Sequence, residues 1–178
     1  MTDEHAGRRL MDAGGVASAE MRLVGGIVGK INREERIFLA GIPTRGVALA
    51  ARVARALRER GIDSGLGTVD ISMHRDDLGL REGVSALRGT ELPLDLERWT
   101  VVLIDDVQHT GRTARAAIEA VLAFGRPRRI LYGVLADRGG RELPLCPDAT
   151  GTVLKVEDHA RVRVRLTEVD GDEGIFAS

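Results

Sequence analysis

The sequence holds a single cysteine, Cys146, so no disulfide can form within the chain, and a lone thiol fits a reducing cytosol. No apolar run approaches the ~20 residues of a membrane helix, and the charged N-terminus lacks the apolar core of a signal peptide. An excess of one charge is missing too. The 26 basic and 27 acidic side chains leave a formal net charge of −1, which gives no general pull toward nucleic acid or a membrane. Signs are mixed along the chain, with no long block of either. Lysine is almost absent: Lys30 and Lys155 stand alone, and arginine carries the rest of the positive charge. These absences predict a soluble, cytoplasmic protein with no membrane partner. At 178 residues, the chain is expected to form one domain with a single α/β core.

What is present centres on Val101–Thr113, read Val-Val-Leu-Ile-Asp-Asp-Val-Gln-His-Thr-Gly-Arg-Thr. The four branched apolar residues predict a strand buried on both faces. Asp105 and Asp106 follow where that run ends, then a turn over 110–113, then a helix. Ala114, Ala117, Ile118, Val121 and Leu122 recur with helical spacing, and Gly125 and Pro127 mark its end. Such a turn gathers free backbone N–H groups and the positive end of a helix dipole, which suits phosphate. Gly111 permits close approach, Thr110 and Thr113 offer hydroxyls, and Arg112 a charged donor. The carboxylates do not bind that phosphate, because like charges about 4 Å apart repel by ~4 kcal/mol at an effective dielectric of 20. They face hydroxyls, a metal ion, or both. Taken alone, an acidic pair after a strand also suits a response regulator or a Walker-B-like site.

Along the chain, residues 1–15 are expected as a loose leader, and Ala17, Met21, Val24, Val28 and Ile31 set a glycine-weakened first helix. Arg36–Pro43 reads as a strand, 43–46 as a turn, and Val47 to about Arg60 as a helix with Val47, Ala50, Ala51, Ala54 and Leu57 inward. Leu66–Ser72 reads as a strand. Residues 73–98 have no periodicity, and a connection of that length is expected to be a mobile lid. Arg129–Ala136 is a further buried strand, and Thr152–Val156 and Arg161–Leu166 are short β segments. In the last of these Arg161, Arg163 and Arg165 share one face and Val162, Val164 and Leu166 the other. Strands alternating with helices argue a mostly parallel sheet flanked by helices, with ligands beyond its C-terminal edge. The loops at 44–46, 70–77, 105–113 and 137–141 all fall on that edge.

The Asp105–Thr113 segment resembles the ribose-5-phosphate signature of type I phosphoribosyltransferases. With Asp70-Ile71-Ser72-Met73-His74-Arg75-Asp76-Asp77-Leu78 and Asp137-Arg138-Gly139-Gly140-Arg141-Glu142-Leu143-Pro144, the stretch from Phe38 to Asp170 resembles the PyrR type. That family comprises pyrimidine-operon attenuators that are also uracil phosphoribosyltransferases. The resemblance implies the type I phosphoribosyltransferase fold with a long mobile loop. It implies conversion of uracil and phosphoribosyl pyrophosphate (PRPP) to UMP and pyrophosphate, with Mg²⁺, in a homodimer or higher oligomer. It also implies UMP-dependent binding of pyrimidine-operon mRNA.

The resemblance also assigns roles. Thr44, Arg45 and Gly46 form the pyrophosphate loop. Arg75 closes over pyrophosphate and excludes water. Asp105 and Asp106 hold the ribose hydroxyls and help to place Mg²⁺. Val107, Gln108 and His109 lie along the nucleotide, and Thr110, Gly111, Arg112 and Thr113 seat the 5′-phosphate. Arg138 faces the base, and Val162 lines the pocket. Catalytic roles fall to Arg45, Arg75, Asp105 and Asp106. Three of the assigned arginines have a structural alternative: Arg45 pairing with Asp70 or Asp105, Arg75 within a solvated cluster, Arg138 bonding Glu142.

The chain departs from the family pattern at Gln108-His109, where Leu-Tyr is usual, and at Gly140, where His is usual. Two other readings stand beside the enzyme. One is an RNA-binding attenuator with vestigial catalysis; its basic surface would be the Arg161, Arg163, Arg165 stripe or the cluster of Arg126, Arg128 and Arg129. The other is a phosphoribosyltransferase for another base. Orotate enzymes carry a lysine in the mobile loop, and residues 73–98 contain none.

Overall fold

The computed structural model describes residues 7–72 and 89–178. Arg75, His74 and the greater part of the expected lid lie outside the described residues. A five-stranded parallel sheet runs in the order β3 (Ser64–Thr68), β2 (Arg36–Gly41), β4 (Trp99–Gln108), β5 (Arg129–Asp137), β6 (Ala149–Val153). Strand β4 is central, and Val101, Val102, Leu103 and Ile104 have no exposed surface. The helices α1 (Ala13–Val28) and α2 (Arg45–Glu59) share one core with Leu39, Val102, Ile104 and Leu135. The other face of the sheet carries Val101, Leu103 and Val134 and meets α3 (Arg112–Phe124) through Ala114, Ala117 and Val121. The expected α/β sandwich is therefore present. Because all five strands run the same way, 42–46, 69–72, 109–111 and 138–141 gather on one edge.

A second sheet, β1 (Arg8–Met11), β8 (Gly174–Ala177) and β7 (Val162–Arg165), is antiparallel in that order. Val164 and Ile175 are fully buried in the core shared by α1 and α2, while Arg161 and Arg163 are exposed, as the alternation predicted. A one-turn helix, α4 (Thr167–Asp170), joins β7 to β8.

Several boundaries depart from expectation. Residues 8–15 are not a loose leader: β1 pairs with β8 at the far end of the chain, and the Asp12 carboxylate caps α1 by accepting the Gly15 N–H at 2.9 Å. Along α1 the buried stripe is Val16, Ala19, Leu23, Val24 and Ile27, with Ala17 exposed and Met21 62% exposed. The glycines explain the shift. A Cβ on Gly26 would lie 2.9 Å from Ala149 Cβ, so glycine lets α1 settle directly on β6. Helix α2 starts at Arg45, two residues earlier than read, and turns Leu49 and Val53 inward where Ala51 was expected. In α3, Ala116 and Ala120 are buried while Leu122 is 53% exposed. Residues 89–98, read as part of the lid, are tied down. The Glu91 N–H donates to the Thr68 carbonyl at 2.8 Å, and the Leu96 side chain is buried in the 3-10 turn 96–98.

Candidate active site

Strand β4 does not stop at the acidic pair. It stays paired with β5 through Asp105, Val107 and Gln108 (opposite Val134, Ala136 and Asp137), so both acids sit within regular strand. Asp105 is 6% exposed, and its Oδ1 accepts the Asp106 N–H at 2.9 Å; the half-buried Asp106 accepts the Val107 N–H at 2.9 Å. Burial, reinforced by the Asp106 charge, raises the Asp105 carboxyl well above the usual carboxylate range. Beneath them the buried Tyr132 donates its hydroxyl to Gln108 Oε1 at 2.9 Å, and burial together with both aspartates pushes its phenol upward. Gln108 is 1% exposed and donates through Nε2 to the Leu145 carbonyl at 3.3 Å. It is therefore a buried polar link between Tyr132 and the Leu145 carbonyl.

Next comes the turn. Gly111 has φ +93°, open to glycine and costly for other residues, and a Cβ there would sit 3.2 Å from Leu143 Cβ. The Arg112 N–H donates to Thr110 Oγ1 at 3.4 Å, and the N-cap position of α3 is Gly111. The loop after β5 closes on this turn from outside. Glu142 and Leu143 donate their N–H groups to the Thr110 carbonyl at 2.9 and 3.1 Å, and Glu142 accepts the Arg112 Nε–H at 3.0 Å.

Residues 44–46 approach from the neighbouring strand. A Cβ on Gly46 would collide with the Ile104 carbonyl oxygen and lie 3.4 Å from Asp105 Cα, so only glycine brings the start of α2 onto β4. The preceding Pro43–Thr44 peptide is cis. Arg45 pairs with neither Asp70 nor Asp105. Its Nε–H and Nη2–H donate to Asp170 Oδ2 and Oδ1 at 3.0 and 2.6 Å. These bonds, with a smaller contribution from the Asp106 charge, hold the guanidinium more firmly protonated than usual.

At the end of β5, Asp137 is buried, accepts the Gly139 N–H at 3.0 Å, and pairs with Arg141. Arg138 does not bond Glu142. It is 8% exposed, and its guanidinium donates to the carbonyls of Glu157 (3.2 Å), Asp158 (2.9 Å) and Ala160. Its backbone N–H donates to the Gln108 carbonyl at 3.1 Å. Those main-chain groups, rather than the guanidinium, are placed at the strand edge. His109 explains Gly140: a Cβ there would lie 3.0 Å from the imidazole, which occupies the space of a side chain. Burial, and then the Arg138 charge, lower the His109 pKa, so the ring is neutral near pH 7. Val162 opens β7, partly buried against the core, opposite Ala177.

The structure thus brings Thr44–Gly46, Asp105–Asp106 and Thr110–Thr113 to one edge, and the Gln108 and Arg138 side chains make hydrogen bonds within the protein beside it. Sequence reading missed Asp170 and Tyr132. Asp170 lies 125 residues from Arg45, and no local pattern links them. Among the described residues, no cluster of three or more His, Cys, Asp or Glu side chains could hold a metal ion. A protein-only cage is therefore absent there; two adjacent carboxylates suit a hard cation that keeps water and substrate oxygens as its other ligands. No helix among the described residues is long and apolar enough to cross a membrane.

Comparison with known proteins gives the family. Residues 16–165 match the family model "Phosphoribosyl transferase domain". Curated relatives named "Bifunctional protein PyrR" include one from Listeria monocytogenes, 41% identical over 168 residues and covering 92% of each chain. Another, from Thermus aquaticus, is 43% identical over 170 residues, covering 93% of this chain and 92% of that protein. Among solved structures, a hypoxanthine-guanine phosphoribosyltransferase from Bacillus anthracis superposes with a TM-score of 0.73 at 14% identity, covering 98% of this chain and 99% of the other. The hypoxanthine phosphoribosyltransferase of Trypanosoma cruzi bound to IMP gives 0.70 at 18% identity, covering 99% and 96%. Those two likenesses bear on the fold alone.

Proposed function

Because this chain belongs to the phosphoribosyltransferase family, and within it to the PyrR proteins, we propose that it transfers the ribose phosphate of PRPP to uracil, giving UMP and pyrophosphate. One observation carries the site assignment: Gly46 seats the start of α2 against Asp105, which sets the Arg45 loop, the acidic pair and the phosphate turn side by side. The 5′-phosphate sits on the N–H groups opening α3, with Thr110, Gly111, Arg112 and Thr113 around it. Asp106, half-buried at the strand end, takes the ribose hydroxyls; Asp105, buried behind it, supports its orientation and adds negative field near the anomeric carbon. Arg45 and the main chain of 44–46 receive pyrophosphate, whose charge grows as the ribose C1–O bond of PRPP breaks and uracil N1, giving up its proton, bonds to C1. Arg75 lies outside the described residues; its closing role rests on the family pattern. Mg²⁺, held by Asp106 with Asp105 behind it, would offset pyrophosphate charge when bound. Uracil meets the main chain of 137–139, with the neutral His109 ring alongside and Val162 farther out on β7.

The test is a purified-protein assay with labelled uracil, orotate, hypoxanthine and guanine, each with PRPP and Mg²⁺. UMP from uracil alone is the expected result; product from another base redirects the assignment, and none from any base favours the regulator. A cytoplasmic homodimer is the expected form.

A second role, binding of a pyrimidine-gene leader RNA, is supported by the outer face of the antiparallel sheet. Arg9 and Arg163 lie opposite Phe176 on its two sides, and the Arg9 and Arg165 guanidinium carbons stand 5.1 and 4.9 Å from its ring centre. Asp172 is the carboxylate that answers Arg9 (3.7 Å) and Arg165 (3.4 Å). The Arg163→Ala protein is expected to bind leader RNA with a salt slope smaller by about one, read by filter binding at several salt concentrations. An unchanged slope places the RNA elsewhere.

A further inference from the structure

We propose that Asp170 is a positioning residue for substrate pyrophosphate: it holds Arg45 by one edge and presents the other to the ligand. The proposal rests on the phosphoribosyl-transfer reading of the site.

The geometry is specific. Asp170 takes Nε–H and Nη2–H of Arg45 side-on, at 3.0 and 2.6 Å. Among the described residues nothing bonds Nη1, so the end of the fork is left to a phosphate oxygen. The carboxylate is itself fixed. Its Oδ2 accepts the Leu166 N–H at 2.9 Å, and Leu166 has no exposed surface, so the anchor is a core residue. Asp170 closes the one-turn helix between β7 and β8, and its backbone N–H bonds the Leu166 carbonyl at 2.8 Å.

Asp106 explains why such an anchor is needed. It lies close enough to Arg45 for its charge to act on the guanidinium. Without Asp170, a long arginine beside a half-buried carboxylate would pair with it, and the group for the ribose hydroxyls and the group for pyrophosphate would neutralise each other. Asp170 prevents that collapse and leaves both available. It also fixes Arg45 before substrate arrives, so less rotamer freedom is lost on binding.

The experiment compares wild type, Asp170→Asn, Asp170→Glu and Glu168→Gln. Glu168 lies on the same turn but answers Arg52, so its variant disturbs the turn without touching Arg45. Two readouts are taken: UMP formation over separate ranges of PRPP and uracil, and calorimetric titration with pyrophosphate and Mg²⁺. Asp170→Asn is expected to raise the PRPP KM and the pyrophosphate Kd about tenfold, the scale of one lost charge-assisted contact, with the uracil KM within about twofold. Glu168→Gln should match wild type in both, and Asp170→Glu should recover part of the loss. Equal or tighter pyrophosphate binding by Asp170→Asn overturns the proposal, as does a loss shared by Glu168→Gln or no pyrophosphate binding by wild type. A wild type that makes no UMP sinks the uracil reading alone, because the titration still reads Asp170.

Discussion

Asp106→Asn is expected to cut UMP formation by about 10²–10³-fold while the protein stays as stable as wild type, the scale of losing one preorganised charge at a reacting centre. The side chain is half-buried at the strand end and accepts its neighbour's N–H, a bond that an amide oxygen can replace. Asp105→Asn should behave differently. Asp105 is buried, and both desolvation and the Asp106 charge oppose its ionisation, so a carboxyl at this position costs stability above the unfolded pKa. An amide there should add about 1 kcal/mol at neutral pH, with a smaller fall in rate. The sign follows from the raised carboxyl. Below the unfolded value near 3.9 both states are protonated and the cost is absent; as pH rises the unfolded chain ionises more readily, and wild-type stability falls until the folded carboxyl also ionises. Urea titrations at pH 4 and pH 7.5 read this: the advantage of Asp105→Asn should widen with pH. A stability gap that does not depend on pH, or full activity in Asp106→Asn, removes the assigned roles.

The parallel sheet was legible because its strands are buried on both faces, and Ile37–Ile42, Val101–Ile104 and Ile130–Ala136 carry that character without help from elsewhere. The turn over 110–113 between β4 and α3 was legible for a similar reason: strand, acids, Thr-Gly and helix are all local. What local pattern could not show was anything made by distant pairing. Strand β1 exists because β8 lies beside it, and an arginine-rich start looks solvated until Phe176 is placed across from Arg9. The α1 stripe was misread because glycine carries no hydrophobic signal, yet Gly26 decides which face meets β6. At the site the same rule holds. The sequence offers Asp70 and Asp105 as partners for Arg45, and Asp170, on the turn between β7 and β8, is the one that pairs with it. Arg138 was assigned by its place in a motif, and its guanidinium proved committed to the carbonyls of 157–160.

Arg52→Ala should cost about 3 kcal/mol, the lower end for breaking a buried ion pair, and the cost should shrink in acid. The Arg52 side chain is 14% exposed and gathers carboxylates from three elements: Glu20 of α1 at 2.6 Å, Glu173 before β8 at 2.6 Å, and Glu168 of α4. Glu173 also accepts the Thr167 N–H and hydroxyl at 2.9 and 2.7 Å. The Arg52 bonds outweigh burial and hold the Glu173 carboxyl down to about 2, while burial leaves Glu20 raised. A depressed carboxyl stabilises the fold above its unfolded value, about 4.3, and that contribution is lost as pH falls toward 2. Removing Arg52 leaves the carboxylates facing one another, so protonation relieves the variant while it weakens wild type. The difference between the two in urea titration should therefore be largest near pH 7 and narrow steadily from pH 5 to pH 3; a constant difference would mean that Arg52 acts through its packed stem.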